Sequence, residues 1–481
     1  MRADFTKLNK AFNPECIAVV GDSGYFQWLN AHKNFKGKLY SVQVNPKTIK
    51  AIEKLGVENY TSLLDIPDTV DFAIVAVGRA VALRVLEDCI SKGVAAAHFF
   101  TAGFAETDTE EGIRLERLLK EKAEEAKFHL IGPNCMGIFN PKLGLKQAMT
   151  QYDGFAGPVG FISQSGTHAI NFGLEAHLQG VDINKSVSFG NGTVLDCAEY
   201  LAYFGQDDEI KVVAMYLEGV REGRRFLEVL KEVSARKPVV IWKGGRGAGG
   251  VRAIASHTGS LAVPQAIWDA AMRQGGAVTV AGMEELIDTL KALLYLSPVR
   301  GNRIALTGGS GGQSVAITDA INEAGLEVPR LTQESYDELA TFYNLVGGGY
   351  GNPIDTGNTN RAQLTRIMDI VERDANIDNV VLLMGLGMGG GPQDSTADAS
   401  PPQDRVPGGV DSVIALRKKT SKPVIAAVYS PFSAGGVQEA RRVIKKLQEG
   451  GVPAFVTVER AATALKNALD YYNFRRNLDV G

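Results

Sequence analysis

His257 stands in Ser256-His257-Thr258-Gly259-Ser260, a few residues beyond the run Gly244-Gly245-Arg246-Gly247-Ala248-Gly249-Gly250. Five of those seven positions are glycine, and without a Cβ the backbone is not held to one conformational basin. The strand-like Pro238-Val239-Val240-Ile241-Trp242 runs directly into them, so the pattern predicts a rigid element handing over to a pliable arm. An imidazole on such an arm can attack phosphorus, hold the phosphoryl group as a covalent N–P intermediate and carry it between two sites. The plain alternative is a structural histidine beside an ordinary glycine loop, and the remainder of the chain has to discriminate.

Three small-residue turns could meet phosphate: Gly21-Asp22-Ser23-Gly24, Ser163-Gln164-Ser165-Gly166, and the glycine-rich run from Gly308 to Gly312. Each follows an apolar run and precedes a helical pattern, so each could aim unpaired N-terminal N–H groups and a favourable dipole at an anion. Any α/β fold also needs such turns. The first lacks a full G-x-G-x-x-G, and after the second strand the chain offers Gln43, Val44, Asn45, Pro46 and Lys47 instead of an acid for a ribose. Lys47 suits a phosphate, so coenzyme A, with its ribose 3′-phosphate, fits better than NAD, and a nicotinamide oxidoreductase is disfavoured.

At 481 residues the chain exceeds a single core, and three domains are expected. A hydrophobic fraction of 45% with 22% charged residues is ordinary for a soluble globular protein, and a net charge of -3 gives no reason to expect nucleic acid or an anionic membrane. Cys16, Cys89, Cys135 and Cys197 lack C-x-x-C spacing, which points to a reducing, cytoplasmic setting without structural zinc. Neither a signal peptide nor a membrane span is recognisable. Short β-branched runs followed by Gly/Ser turns and helix-period segments form the α/β pattern of buried parallel strands with crossover helices. After the Ser163 turn, Ala169, Ile170, Gly173, Leu174, His177 and Leu178 are expected on one buried face. The second and third units open alike, the mark of an internal repeat, and 387–409 reads as a long mobile loop or an insertion.

Several segments then occur together: Gly21-Asp22-Ser23, Val44-Asn45-Pro46-Lys47, Ala102-Gly103-Phe104-Ala105-Glu106, Gly132-Pro133-Asn134-Cys135-Met136-Gly137, Ser163-Gln164-Ser165-Gly166, Tyr216-Leu217-Glu218-Gly219, Ser256-His257-Thr258-Gly259-Ser260 and Asn352-Pro353-Ile354-Asp355. Their order resembles that of the nucleoside-diphosphate (ADP)-forming acyl-CoA synthetase family, alpha subunit, a relative of the succinyl-CoA synthetase alpha subunit. The resemblance implies an α/β chain of three Rossmann- or flavodoxin-like parallel-sheet domains. These are a coenzyme A-binding domain over 1–148, a ligase domain carrying the phosphohistidine loop over 149–298, and a second flavodoxin-like ligase domain over 299–481.

By the same resemblance His257 is the phosphorylated histidine and Glu218 the carboxylate that orients it. Ser163, Gln164, Ser165 and Gly166 form the phosphate-receiving helix start, and Gly21, Ser23, Lys47 and Asn134 belong to the coenzyme A surface. The implied reaction interconverts acyl-CoA, ADP and phosphate with carboxylic acid, ATP and CoA. No segment resembles an ATP-grasp domain, so ATP/ADP and Mg²⁺ are expected mainly on a separate ATP-grasp beta subunit, in a heterotetramer. A non-catalytic coenzyme A-binding or regulatory module is the alternative. His168 is expected in helix packing or at the surface, and His177 in the core.

Overall fold

Short strands such as Cys16–Val20, Phe72–Val75 and Val212–Leu217 are apolar along their whole length, not alternately, and are buried on both faces. The computed structural model describes residues 2–247, 249–250, 252, 264–308, 311–343, 349–356, 359–385, 409–429 and 434–479. His257 and residues 387–408 of the expected loop lie outside the described residues, and its last residue, Gly409, stands as N-cap of the helix Val410–Lys419. The chain divides into two compact units, Met1–Leu286 and Ile287–Gly481.

The first unit holds two sheets. In the first, β1 (Cys16–Val20), β2 (Lys38–Val42), β3 (Glu58–Tyr60), β4 (Phe72–Val75), β5 (Ala96–Phe99) and β6 (His129–Ile131) are arranged β3-β2-β1-β4-β5-β6, every pair parallel. This is the strand order of the doubly wound nucleotide-binding sheets. The second comprises β7 (Gly137–Phe139), β8 (Val159–Ser163), β9 (Ile183–Ser188), β10 (Val212–Leu217), β11 (Val239–Lys243) and β12 (Val278–Val280), in the order β12-β11-β10-β8-β9-β7. Without β7, which pairs antiparallel with β9, it has flavodoxin-like order. The strand β7 lies upstream of residue 148 yet completes the second sheet.

Alternation along β1 shows how the sheets are bound together. Cys16, Ala18 and Val20 face one cluster with Leu86 and Phe99; Ile17 and Val19 face another that continues through Phe12, Trp28, Tyr203 and Phe204 to Met215, Leu217 and Ile241 of the second sheet. Phe12 stacks on Tyr203 at 5.1 Å. Burying each such side chain contributes roughly 1.5–3 kcal/mol. The helix Gly166–Leu178 buries Ala169, Phe172, Gly173 and Ala176. That face is rotated from the one the apolar residues suggested: Leu178 is 84% exposed, and His177 is half-buried, paired with Asp182 Oδ1 at 2.7 Å and stacked on Tyr152.

The second unit carries β13 (Ile304–Thr307), β14 (Asn379–Gly385), β15 (Val424–Tyr429) and β16 (Ala454–Phe455) as a parallel sheet in chain order. Ile354 forms a parallel bridge with Thr307 on the free side of β13, and Asn352 donates to Ile304 O at 2.7 Å and Pro329 O at 2.8 Å. The Asn352-Pro353-Ile354-Asp355 motif thus covers that edge.

Three buried histidines make the first unit acid-sensitive. His32 hydrogen-bonds Trp28 O through Nδ1 at 2.7 Å and accepts the Lys146 amide at Nε2 at 3.2 Å. His98 packs edge-on against Trp28, and His129 Nε2 accepts the Asp4 amide at 3.0 Å. Burial pushes their imidazoles from 6.5 down to about 4, about 3 and about 4. Between pH 6.5 and 4 the unfolded chain therefore binds protons that the folded chain refuses, so stability falls as pH falls through that window. Each contributes a slope of about 1.4 kcal/mol per pH unit near pH 5. Urea unfolding of the chain followed from pH 7 to 4.5 should show the midpoint dropping steeply, with a shallower drop in His32→Gln; a flat midpoint would contradict the assignment.

Candidate active site

In the second sheet the direction of winding reverses between β8 and β10, and in open α/β sheets the crevice beyond the strand ends at such a reversal is where ligands bind. Ser163 and Tyr216 are register partners there. After Ser163 the chain turns into the helix Gly166–Leu178, with Ser165 as its N-cap: Ser165 Oγ accepts the His168 amide at 3.3 Å, and Ser163 Oγ donates to Ser165 O at 2.6 Å. The other first-turn amides carry the positive end of the helix dipole.

Gln164 joins this turn to Glu218. Its Oε1 accepts the amides of Glu218 at 2.9 Å and Gly219 at 3.1 Å, while its own amide donates to Tyr216 O at 3.0 Å. Glu218 is 7% exposed, and Tyr216 donates its hydroxyl to Glu218 Oε1 at 3.3 Å. A Cβ on Gly244 would stand 2.7 Å from the Tyr216 hydroxyl, so a larger residue there would push that hydroxyl aside. Of the expected catalytic pair, Glu218 thus lies beside the Ser163–Gly166 turn, and His257 lies outside the described residues.

Two neighbours were missed in the sequence. Lys243, buried at the end of β11, donates to Glu218 O at 2.8 Å and Gly244 O at 2.7 Å. The signal was a lysine closing an apolar strand, which is almost never buried without partners. Burial pulls its ammonium below the usual lysine range, and the Glu218 charge opposes this. Trp242 is the second: with Tyr216 it flanks the His168 ring at 4.5 and 4.4 Å. His168 is therefore a packed residue of the site's wall, and burial lowers its pKa against the pull of Glu218 and Glu175.

The first sheet reaches this crevice through the turn after β6. A Cβ on Gly166 would stand 2.6 Å from Met136 Cγ, and one on Gly190, whose φ is +52°, would stand 2.2 Å from Asn134 O. The Asn191 amide donates to Pro133 O at 3.1 Å, and the Asn191 side chain donates to Glu106 at 2.7 Å and Glu116 at 2.8 Å. Asn134 itself has φ +57°, a left-handed turn conformation that asparagine tolerates.

Gly21, Ser23 and Lys47 lie beyond the carboxyl ends of β1 and β2, away from the Asn134 turn. Gly21 has φ +87° and no room for a Cβ, which would meet Val77 Cγ1 at 2.4 Å. Ser23 and Lys47 are exposed, with the Lys47 amide donating to Asn45 Oδ1 at 3.0 Å. The intervening Asp22 caps the short helix Gln27–Ala31 by accepting the amides of Trp28 at 3.0 Å and Leu29 at 2.9 Å. That helix start is thus already served by a carboxylate.

Residues 16–141 match a CoA binding domain and residues 156–293 a succinyl-CoA ligase like flavodoxin domain. The acetate–CoA ligase [ADP-forming] II subunit alpha of Pyrococcus furiosus is 33% identical over 464 residues, covering 95% of this chain and 96% of that protein. The chain belongs to the ADP-forming acyl-CoA ligases. The acetate–CoA ligase [ADP-forming] I of Archaeoglobus fulgidus is 35% identical over 384 residues, 78% of this ligase chain, which spans 55% of that longer relative. Among solved structures, the dinucleotide-forming acetyl-coenzyme A synthetase 1 of Candidatus Korarchaeum cryptofilum, in complex with phosphate and ADP, superposes with a TM-score of 0.83 at 29% identity, covering 98% of each chain. Acid–thiol ligation is thus the activity of the family, and a purely regulatory coenzyme A module is set aside.

Proposed function

We propose that this ligase chain performs the coenzyme A and phosphoryl-relay chemistry of an ADP-forming acyl-CoA synthetase. A phosphate oxygen attacks the thioester carbonyl; the C–S bond breaks, sulfur leaves as a thiolate that takes up a proton, and an acyl phosphate forms. Amides at the helix start after Ser163, Gln164, Ser165 and Gly166 stabilise the charge developing on oxygen. A nitrogen of neutral His257 attacks the phosphorus, and the P–O bond to the acyl group breaks with release of the carboxylate. Glu218 accepts the other ring N–H and favours the charged imidazole. An oxygen of the ADP β-phosphate then attacks phosphohistidine, the N–P bond breaks, and neutral His257 returns.

The observation that carries this reading is Gln164, whose one side-chain oxygen ties the phosphate turn to the backbone of Glu218. Coenzyme A fits the same layout. With Gly21, Ser23 and Lys47 at its nucleotide end, the pantetheine arm would cross three strand spacings, roughly 14 Å, to Asn134 beside Gly166. The relatives named alpha subunits support a separate ATP-grasp beta subunit in a heterotetramer, bringing ATP/ADP and Mg²⁺, the metal there screening the phosphates. Four buried free thiols suit a cytoplasmic setting.

The test is to incubate the assembled complex with γ-³²P-labelled ATP and follow acid-labile, base-stable label on this chain. Wild type should take up close to one label per chain and His257→Asn none. Equal labelling of the two would refute the relay.

A further inference from the structure

Lys243 touches more of the relay's surroundings than any role in strand packing requires. Strands β10 and β11 are paired as far as Leu217 and Lys243, and the Gly244 amide donates to Leu217 O at 2.8 Å. At Gly244 the chain leaves the sheet, and it is helical again over Gln265–Gly275. The segment between carries His257. Lys243 Nζ donates to Gly244 O at the front of that segment, lies 5.3 Å from the ring centroid of Trp268 just behind it, and donates to Glu218 O on the neighbouring strand. Trp268 is 5% exposed and Lys243 7%.

We propose that Lys243 is a positioning residue for phosphoryl transfer, one ammonium that holds Glu218 in register with both anchor points of the His257-bearing segment. The inference rests on the relay proposed above and names a residue that the relay needs beyond Glu218 and His257. An ammonium suits the place because it offers three donors on a flexible stem and a charge that favours an aromatic face. An apolar side chain of the same length would remove both charge-assisted hydrogen bonds to these carbonyls and leave the indole without its cation. Losing the clamp lets the segment's anchors drift from Glu218, while the thioester step, which uses the Ser163 turn and the coenzyme, keeps its geometry.

The experiment separates the two half-reactions in the assembled complex. Arsenate-dependent release of CoA from acetyl-CoA reads the thioester step without His257; labelling of the chain from acetyl-CoA and ³²P-phosphate reads transfer to the histidine. Lys243→Met should slow labelling tenfold or more while CoA release stays within twofold, and Lys243→Arg should recover most of the labelling. Trp268→Leu, which removes only the aromatic anchor, should show the same split at three- to tenfold and serves if Lys243→Met does not fold. Labelling within twofold of wild type in both variants would overturn the proposal, as would equal loss of both half-reactions. If wild type labels no better than His257→Asn, the relay itself fails, a result visible without any Lys243 variant.

Discussion

Replacing Glu218 by glutamine is expected to slow acyl-CoA-driven ATP synthesis by about a thousandfold, within the range that a positioned acid–base partner contributes. Glutamine preserves volume and can still meet the Tyr216 hydroxyl, which lies 3.3 Å from Oε1. What disappears is the negative charge that the proposed relay sets against the His257 imidazole. The Glu218 amide remains bonded to Gln164, so the Ser163–Gly166 turn is kept, and arsenate-dependent CoA release should persist at near the wild-type rate. Tyr216→Phe should cost only a fewfold, because it removes one long hydrogen bond, 3.3 Å, and leaves the carboxylate its charge. Steady-state kcat in the complex checks both, and a loss below tenfold in Glu218→Gln would remove the carboxylate from the relay.

Gly190→Ala is expected to lower stability by about 3 kcal/mol, adding backbone strain to overpacking, and to raise KM for CoA tenfold or more. Gly190 has φ +52°, and a methyl there would stand 2.2 Å from Asn134 O and 2.3 Å from Pro133 O, both backbone atoms that cannot swing aside. The 132–137 turn would have to retreat from the Ser165 helix start, and in the proposed layout this separates the coenzyme's thiol end from phosphate. Urea unfolding and CoA titration of initial rates measure the two effects independently. Gly154→Ala is the control: its φ is also positive, at +103°, but no atom lies within 4 Å of the added carbon.

Much of this arrangement can be read from the chain alone, and the limits have physical causes. Strands such as Val159–Ser163 and Val212–Leu217 announce themselves because burial on both faces demands continuous apolar runs. The turn at Ser163 and the carboxylate at Glu218 follow from what ends those runs. Their mutual contact through Gln164 does not, since cross-strand neighbours depend on sheet order, which periodicity leaves open. The partners of Lys243, Trp268 and Asn191 were hidden for the same reason: each works through carbonyls, rings or carboxylates far away in sequence. The helix Gly166–Leu178 was misphased because Leu174 and Leu178 attract attention, whereas Phe172 and Ala176 supply the buried surface. At Asp22 the small-residue turn suggested free amides, and only the structure reveals a carboxylate already occupying them.

The edge strand Gly137–Phe139 also bears on how such a chain can be inherited or rebuilt. It descends directly from the coenzyme sheet's last strand, yet pairs with Ile183–Ser188. A recombination junction at residue 148 would leave that strand on the wrong fragment, stripping the acceptor sheet of its border and exposing a row of unmet amides to aggregation. Fusions, transplants and split versions should therefore keep Gly137–Phe139 with the sheet that it borders.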